Sequence, residues 1–427
     1  MTDTTHYRPG AAWGMAALLA AFTLINFIDK AALGMVAVPL MAELHLSPAE
    51  FGMIAGSFYW LFGISAVVVG FLANRIPTRW LLLIMAASWA LLQLPIAITG
   101  GALTVLLCRA ALGAAEGPGT PVALHALYKW FPDSKRTLPG ALVLQGGILG
   151  MLLAGLVIPQ ITQRWGWRMN FVILAVIGAV WVLAWLVWGR EGNLGHQGMP
   201  GAAANARLPY ARLLTDPSML TLFLLCFSAY WTIGLNLTWL PSYMEKALGF
   251  SSVTAGRWVA LIVVAGTPVG LVAGFLSERL LKRGRGSRVA RVMLINGSVV
   301  LGAILLLCVG QLDLAPVQKA LMQAAATGLL AVTFVLSPPI LGEIVPPLQR
   351  GGLMAIYTAI GNVAGALGPM VMGQLVQHYG STNAHGYEIG FMIGAALLFV
   401  SALASLRWLH PDRSRQTLGS RVAPAAA

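Results

Sequence analysis

Long apolar runs separated by short polar, mostly basic breaks set the pattern of this chain. Twelve runs can be drawn, over about 12–40, 51–73, 79–99, 102–128, 138–162, 168–189, 217–243, 252–281, 290–310, 316–342, 352–377 and 387–408. Each reaches roughly the twenty residues a helix needs to cross a bilayer and exceeds the ten or so of a barrel strand. The pattern predicts an all-α polytopic membrane protein. Two runs break the apolar rule. The first contains Asp29 and Lys30, in LINFIDKAALG, and the fourth contains Arg109 and Glu116, in CRAALGAAEGPGTP. A charge at a helix centre costs about 2.5–3.5 kcal/mol on insertion scales, so these four residues are the ones expected deep in the membrane, and they are the first candidates for function.

Composition agrees with the pattern. The chain is 58% hydrophobic and only 10% charged, against about 25% charged in a typical soluble domain. The net charge of +13 would fit a nucleic-acid binder, but its placement excludes one. Of the 27 Lys and Arg, 20 fall on the side of both tails and the loops after even-numbered runs. Five (Arg164, Arg168, Lys246, Arg257, Lys319) fall on the other side. That bias places both termini in the cytoplasm. The three cysteines, Cys108, Cys226 and Cys308, lie in apolar runs and suggest no disulfide framework. The start, MTDTTHYRPG, lacks the features of a cleaved leader, so the first run is expected to stay in the mature protein.

The chain repeats itself. GFLANR (Gly70–Arg75) after run two returns as GFLSER (Gly274–Arg279) after run eight, 204 positions later. Pro132 and Arg136 after run four return as Pro346 and Arg350 after run ten, and Gly147 pairs with Gly361, both at an offset of 214. These matches divide the chain into a six-helix bundle at 1–189, a cytoplasmic linker at 190–216, a second six-helix bundle at 217–408 and a cytoplasmic tail at 409–427. The tail reads as short, basic and without structure. Parallel halves with a site near the midplane are a transporter design. A phosphate loop, metal cluster or nucleophile arrangement is not found, so an enzyme, a metal and a cofactor are not expected.

Those repeated loops resemble the major facilitator superfamily. The loop after run two is similar to its G-x-x-x-D-R-x-G-R-R signature, here Gly70 to Arg79, with Asn74 in place of the acid and Pro77 in place of a glycine. The resemblance implies gating roles for Arg75 and Arg79, and for Glu278 and Arg279 in the second copy. A narrower resemblance is to the anion:cation symporter family of bacterial organic-acid, hexonate and phthalate-type permeases. It rests on Asn26-Phe-Ile-Asp29-Lys30, similar to N-Y-x-D-R; on Arg109-x-x-Leu-Gly113-x-x-Glu116; on Trp130-Phe-Pro132-x-x-x-Arg136; and on Gly166-Trp167-Arg168-x-x-Phe171. The family's usual arginine stands as Lys30 here, and its usual span-five glutamine falls on Gly147. The resemblance implies a bacterial inner-membrane transporter, and the chain is expected to work as a monomer.

Arg109 and Glu116 face one side of their helix, about 10 Å apart along it, and cannot pair with each other directly. Their expected partners are Asp29 and Lys30. Glu116 is expected to couple protons, with Asp29 as its partner or as the gate to Lys30. Lys30 and Arg109 are expected to attract a substrate anion. The alternative is two silent ion pairs holding spans one and four together. Asn26, Phe62, Trp60, Ser337 and Asn362 are further candidates to line the site. Few hydroxyl or amide donors among them favour a small carboxylate or sulfonate, carried with protons. A sugar-acid symporter, an anion exchanger and an efflux carrier are the alternatives. Gly117, Pro118, Gly119 and Pro121 can bend span four, and Pro338 and Pro339 span ten.

Overall fold

The computed structural model describes residues 7–73, 75–98, 101–194 and 208–419. Asn74, the inner part of the linker and the last eight residues lie outside the described residues. The helices, in chain order, are α1 (Pro9–Met35), α2 (Ala37–Glu43), α3 (Pro48–Leu72), α4 (Thr78–Ile98), α5 (Ala102–Glu116), α6 (Gly119–Tyr128), α7 (Thr137–Trp165), α8 (Arg168–Trp188), α9 (Tyr210–Leu214), α10 (Pro217–Thr238), α11 (Leu240–Ser242), α12 (Ser252–Lys282), α13 (Met293–Gln311), α14 (Pro316–Ile344), α15 (Arg350–Tyr379), α16 (Ala384–Trp408) and α17 (Pro411–Gly419). Among the described residues, eleven helical stretches are long and apolar enough to cross a membrane. The remaining apolar run, the fourth, is broken in two: α5 ends at Glu116 and α6 begins at Gly119. Gly117 and Pro118 lie at the break, because Pro118 cannot donate to the helical ladder. Pro338 and Pro339, by contrast, lie inside α14, which runs on through both.

The chain forms two compact units. One takes in Met1–Gly201, Leu237–Ser242 and Phe250–Ala260; the other takes in Ala202–Asn236, Tyr243–Gly249 and Leu261–Ala427. In the first unit α1 packs along α7, α3 along α5 and α4 along α8. Buried polar groups fasten these seams. Thr23 Oγ1 donates to the Val143 carbonyl at 2.6 Å, and Trp181 Nε1 to the Leu18 carbonyl at 2.9 Å. In the second unit α13 packs on α14 and α16, and α15 on α16. Ser228 Oγ there donates to the Leu397 carbonyl at 3.1 Å.

The sequence repeat has a structural counterpart. Arg136 Nε donates to the carbonyl of Phe131 at 3.0 Å, and Arg350 Nε donates to the carbonyl of Val345 at 3.1 Å. Each arginine stands five residues after the group it ties, so each half closes its loop with the same staple.

Two expectations change. The tail is not structureless throughout: 411–419 form α17, and Ser414 Oγ lies 2.8 Å from Ser218 Oγ and 3.0 Å from Asp216 Oδ1. The four charges of spans one and four are also not the only buried ones. Lys319 Nζ meets Glu388 Oε1 at 2.6 Å, with both side chains at most 12% exposed, and Tyr243 donates to the same oxygen at 3.0 Å. Lys319 reads as a loop charge only because it stands a few residues into α14, where its long stem can turn back among the helices.

Candidate functional site

Helix α1 carries Asn26, Asp29 and Lys30 within one turn, so all three share a side of it. Lys30 Nζ donates to Asn26 Oδ1 at 2.7 Å. Helix α5 presents Arg109 and Glu116 two turns apart. It sits hard against α3 because residue 113 is glycine: a Cβ there would lie 1.7 Å from the Phe58 carbonyl oxygen. Only a residue without a side chain allows that approach.

The two helices bring the four charges together, each acid beside a cation of the other helix. Arg109 Nη1 lies 3.6 Å from Asp29 Oδ1, and Lys30 Nζ lies 4.0 Å from Glu116 Oε2. Asp29, Arg109 and Glu116 are each at most 3% exposed. Consecutive residues on a helix project about 100° apart, which lets Asp29 and Lys30 serve different partners on α5. Aromatic rings complete the walls. The Arg109 guanidinium stands 4.7 Å from the Phe58 ring centroid, and Lys30 Nζ stands 4.3 Å from Phe27 and 5.2 Å from Phe62. A ring face attracts a cation without neutralising it. The Phe27 ring in turn rests against Gly147 of α7, where a Cβ would come within 2.9 Å of it.

The satisfaction of this cluster is uneven. Asp29 Oδ2 accepts a 2.5 Å hydrogen bond from Gln93 Nε2 of α4. Asp29 Oδ1, Arg109 Nε and Nη1 and both oxygens of Glu116 are buried without a hydrogen-bond partner among the described residues. Such groups are costly to bury. The pairs are therefore long and loosely bonded, and leave unpartnered donors and acceptors inside the cluster.

Not every candidate joins the cluster. Trp60 is 45% exposed; it lies two residues past Phe58, on the opposite side of α3, and does not contact the charges. Asn362 on α15 and Ser337 on α14 are buried in the second unit. Arg75 is exposed. Arg79 donates to the Leu186 carbonyl at 3.3 Å. Glu278 pairs at 3.9 Å with Lys282, both well exposed, rather than with its neighbour Arg279, which is also exposed.

The group that organises the loop after α3 is Glu191, which the repeat did not reveal. Its carboxylate accepts from the backbone N–H of Thr78 at 3.2 Å and of Arg79 at 2.9 Å, from Thr78 Oγ1 at 2.9 Å and from Lys129 Nζ at 2.5 Å. It thereby caps the start of α4 from a distance. Partial burial pushes this carboxyl up, but Lys129, the Arg79 N–H and the Thr78 hydroxyl outweigh it and hold the group below its ordinary value. Gln93 was also missed. Its signal was present in the sequence, as one amide in the apolar run LLQLP.

The comparisons with known proteins agree with this architecture. The chain is 27% identical over 407 residues to a probable sulfoacetate transporter of Cupriavidus necator, covering 90% of each chain. It is 23% identical over 400 residues to a hexuronate transporter of Bacillus subtilis, covering 91% of this chain and 92% of that one. Among solved structures it resembles a bacterial homologue of the human lysosomal transporter Spinster (TM-score 0.81, 18% identity, 96% of this chain and 99% of that one). It also resembles a D-xylose–proton symporter (TM-score 0.73, 16% identity, 94% and 99%). The Major Facilitator Superfamily model matches residues 19–320 and 286–426, and the chain belongs to that superfamily, as a multi-pass membrane transporter with curated relatives named for sulfoacetate and hexuronate transport.

Proposed function

We propose that the protein imports a small organic anion, such as a short carboxylate or sulfonate, together with protons. The observation that carries this reading is the buried quartet of two acids and two cations in the first unit. Charge counting supplies the coupling. With both acids ionised the quartet is neutral. An entering anion leaves it one unit negative, and one proton on an acid restores neutrality. In a low-dielectric site that imbalance is expensive, so anion and proton favour each other's binding. Glu116 is the proposed proton carrier, because neither of its oxygens holds a hydrogen bond that protonation would break. Lys30 and Arg109 receive the anion.

The walls around Lys30 favour a compact, sparsely hydroxylated substrate. Phe27 and Phe62 flank the ammonium and offer no hydrogen bonds to sugar hydroxyls. The relatives divide on this point, since their names include both a sulfonate and sugar acids. An exchanger would use the same two cations but would not need a carboxylate that takes up a proton. The proposed location is the bacterial inner membrane with both termini in the cytoplasm, the protein acting as a monomer.

Uptake into proteoliposomes under an inward proton gradient tests the reading. Sugar acids, aromatic acids, short dicarboxylates and sulfonates are screened in wild type and in Glu116→Gln. The expected result is accumulation of a compact anion by wild type, and exchange without accumulation by the variant. Equal accumulation by Glu116→Gln would remove Glu116 from the coupling. Accumulation indifferent to the gradient would favour an exchanger, and uptake of a hexonate alone would favour the sugar-acid alternative.

A further inference from the structure

We propose that Gln93 is a positioning residue that holds Asp29 as the fixed counter-ion of Arg109 and so leaves Glu116 to carry the exchangeable proton. The inference rests on the proton-coupled reading above and adds a member to its site.

The geometry divides the two acids sharply. Asp29 has a cationic nitrogen near one oxygen, Arg109 Nη1 at 3.6 Å, and an amide donor on the other, Gln93 Nε2 at 2.5 Å. Oδ2 is therefore a hydrogen-bond acceptor, while Oδ1 holds no hydrogen bond and has only the nearby guanidinium. Glu116 also has a cation near one oxygen, Lys30 at 4.0 Å, but neither of its oxygens has a hydrogen-bond donor. The charged and titratable groups around the two acids, among the described residues, are Lys30, Arg109 and Tyr59, and the two acids also face each other. Tyr59 makes ring contacts with Phe58 and Phe62. Gln93 is the one hydrogen-bond donor to the Asp29 carboxylate among the described residues, so none of Lys30, Arg109 and Tyr59 takes its place.

Simple packing does not account for Gln93. It is 1% exposed within an apolar helix, and its own Oε1 is buried without a hydrogen-bond partner. A half-satisfied amide costs more to bury than a methionine or leucine of similar size. The amide is retained at a place where its single good bond goes to the acid nearest Arg109. The carboxylate is thereby held on α1 by a group from α4 as well as by one from α5.

Two variants of the full-length protein test this: Gln93→Met, which keeps the size and loses the donor, and Gln93→Glu, which adds an acid at the same place. The first readout needs no transport. Infrared difference spectra between high and low pH should show a buried carboxyl band in wild type that Glu116→Gln removes and Asp29→Asn leaves. Gln93→Met should add a second band, removed by Asp29→Asn in the same background. Gln93→Glu should also add one, because two adjoining acids share a proton. The second readout is the pH profile of uptake, whose midpoint should move by about one unit in Gln93→Met, a tenfold change in proton affinity. Spectra of both variants that superimpose on wild type, with an unmoved pH profile, would overturn the assignment. A wild type that never accumulates an anion on a proton gradient would instead sink the coupling reading, while the spectra still decide the Gln93–Asp29 relation.

Discussion

Arg109 faces Asp29 across the α1–α5 seam at 3.6 Å, with both side chains at most 4% exposed. Removing one member strands the other. The single changes Asp29→Asn and Arg109→Gln should each destabilise the protein by about 3–5 kcal/mol, the cost typical of leaving a buried charge unpaired. The double variant should recover most of that stability and none of the uptake. Melting in detergent beside uptake in proteoliposomes checks both halves of the statement. Recovery of uptake in the double variant would mean that the pair is structural.

Phe27 and Gly147 should act together on selectivity. The ring stands 4.3 Å from Lys30 Nζ because residue 147 leaves it room. Phe27→Ser should raise KM for a compact anion between about two- and thirtyfold, the range of a cation–π contact, and should let sugar acids compete better. Gly147→Leu should move the ring and give a similar loss. Inhibition of uptake by a panel of acids measures both.

Gly113 sets how closely α3 and α5 approach. A methyl group would lie 1.7 Å from the Phe58 carbonyl oxygen, so one of the two backbones must shift. Gly113→Ala should cost about 1–3 kcal/mol. It should also impair uptake per folded molecule, because the shift moves Arg109 and Glu116 relative to α1. An unchanged KM and turnover in the purified variant would show that α5 can move without disturbing the charges.

The pH dependence of stability should carry the mark of Glu245, which follows α11. Burial pushes this carboxyl up to about 7, with Lys246 opposing. A folded-state value above the ordinary 4.5 means that the folded protein binds this proton more tightly than the unfolded chain. That contribution is full below pH 4.5, declines as pH rises and is gone above about 7. Glu245→Gln should therefore melt higher than wild type at pH 8 and level with it at pH 4. Part of the side chain is exposed, so about 1 kcal/mol is the expected gain. A gain at pH 4 would assign the effect to packing instead.

The fold class was legible because it is written in local features. Twelve apolar runs require helices, since a bilayer offers no partner for free backbone groups. Short basic loops mark one side, and motifs that return 204 and 214 positions later mark two halves. The paired staples of Arg136 and Arg350 are that repeat realised in structure. The break of span four was legible for the same reason, because Gly117 and Pro118 weaken the helix wherever it is placed. That the four charges would meet was legible too, although which acid lies nearest which cation was not. Helical spacing forbids Arg109 from meeting Glu116, and only Asp29 and Lys30 remained to answer them.

Other features depend on distant parts of the chain and were decided only by tertiary structure. Gln93 is an unremarkable amide until α4 lies beside α1, and Glu191 is a linker residue until it reaches back to cap α4 across more than a hundred positions. Lys319 reads as a loop charge until Glu388 and Tyr243 are folded against it. Trp60 reads as a site aromatic until the rotation of α3 turns it away from the charges. Periodicity shows which residues share a helix face, but not which neighbour that face will meet. Packing of the helices settles that choice, and with it the hydrogen bonds that distinguish Asp29 from Glu116.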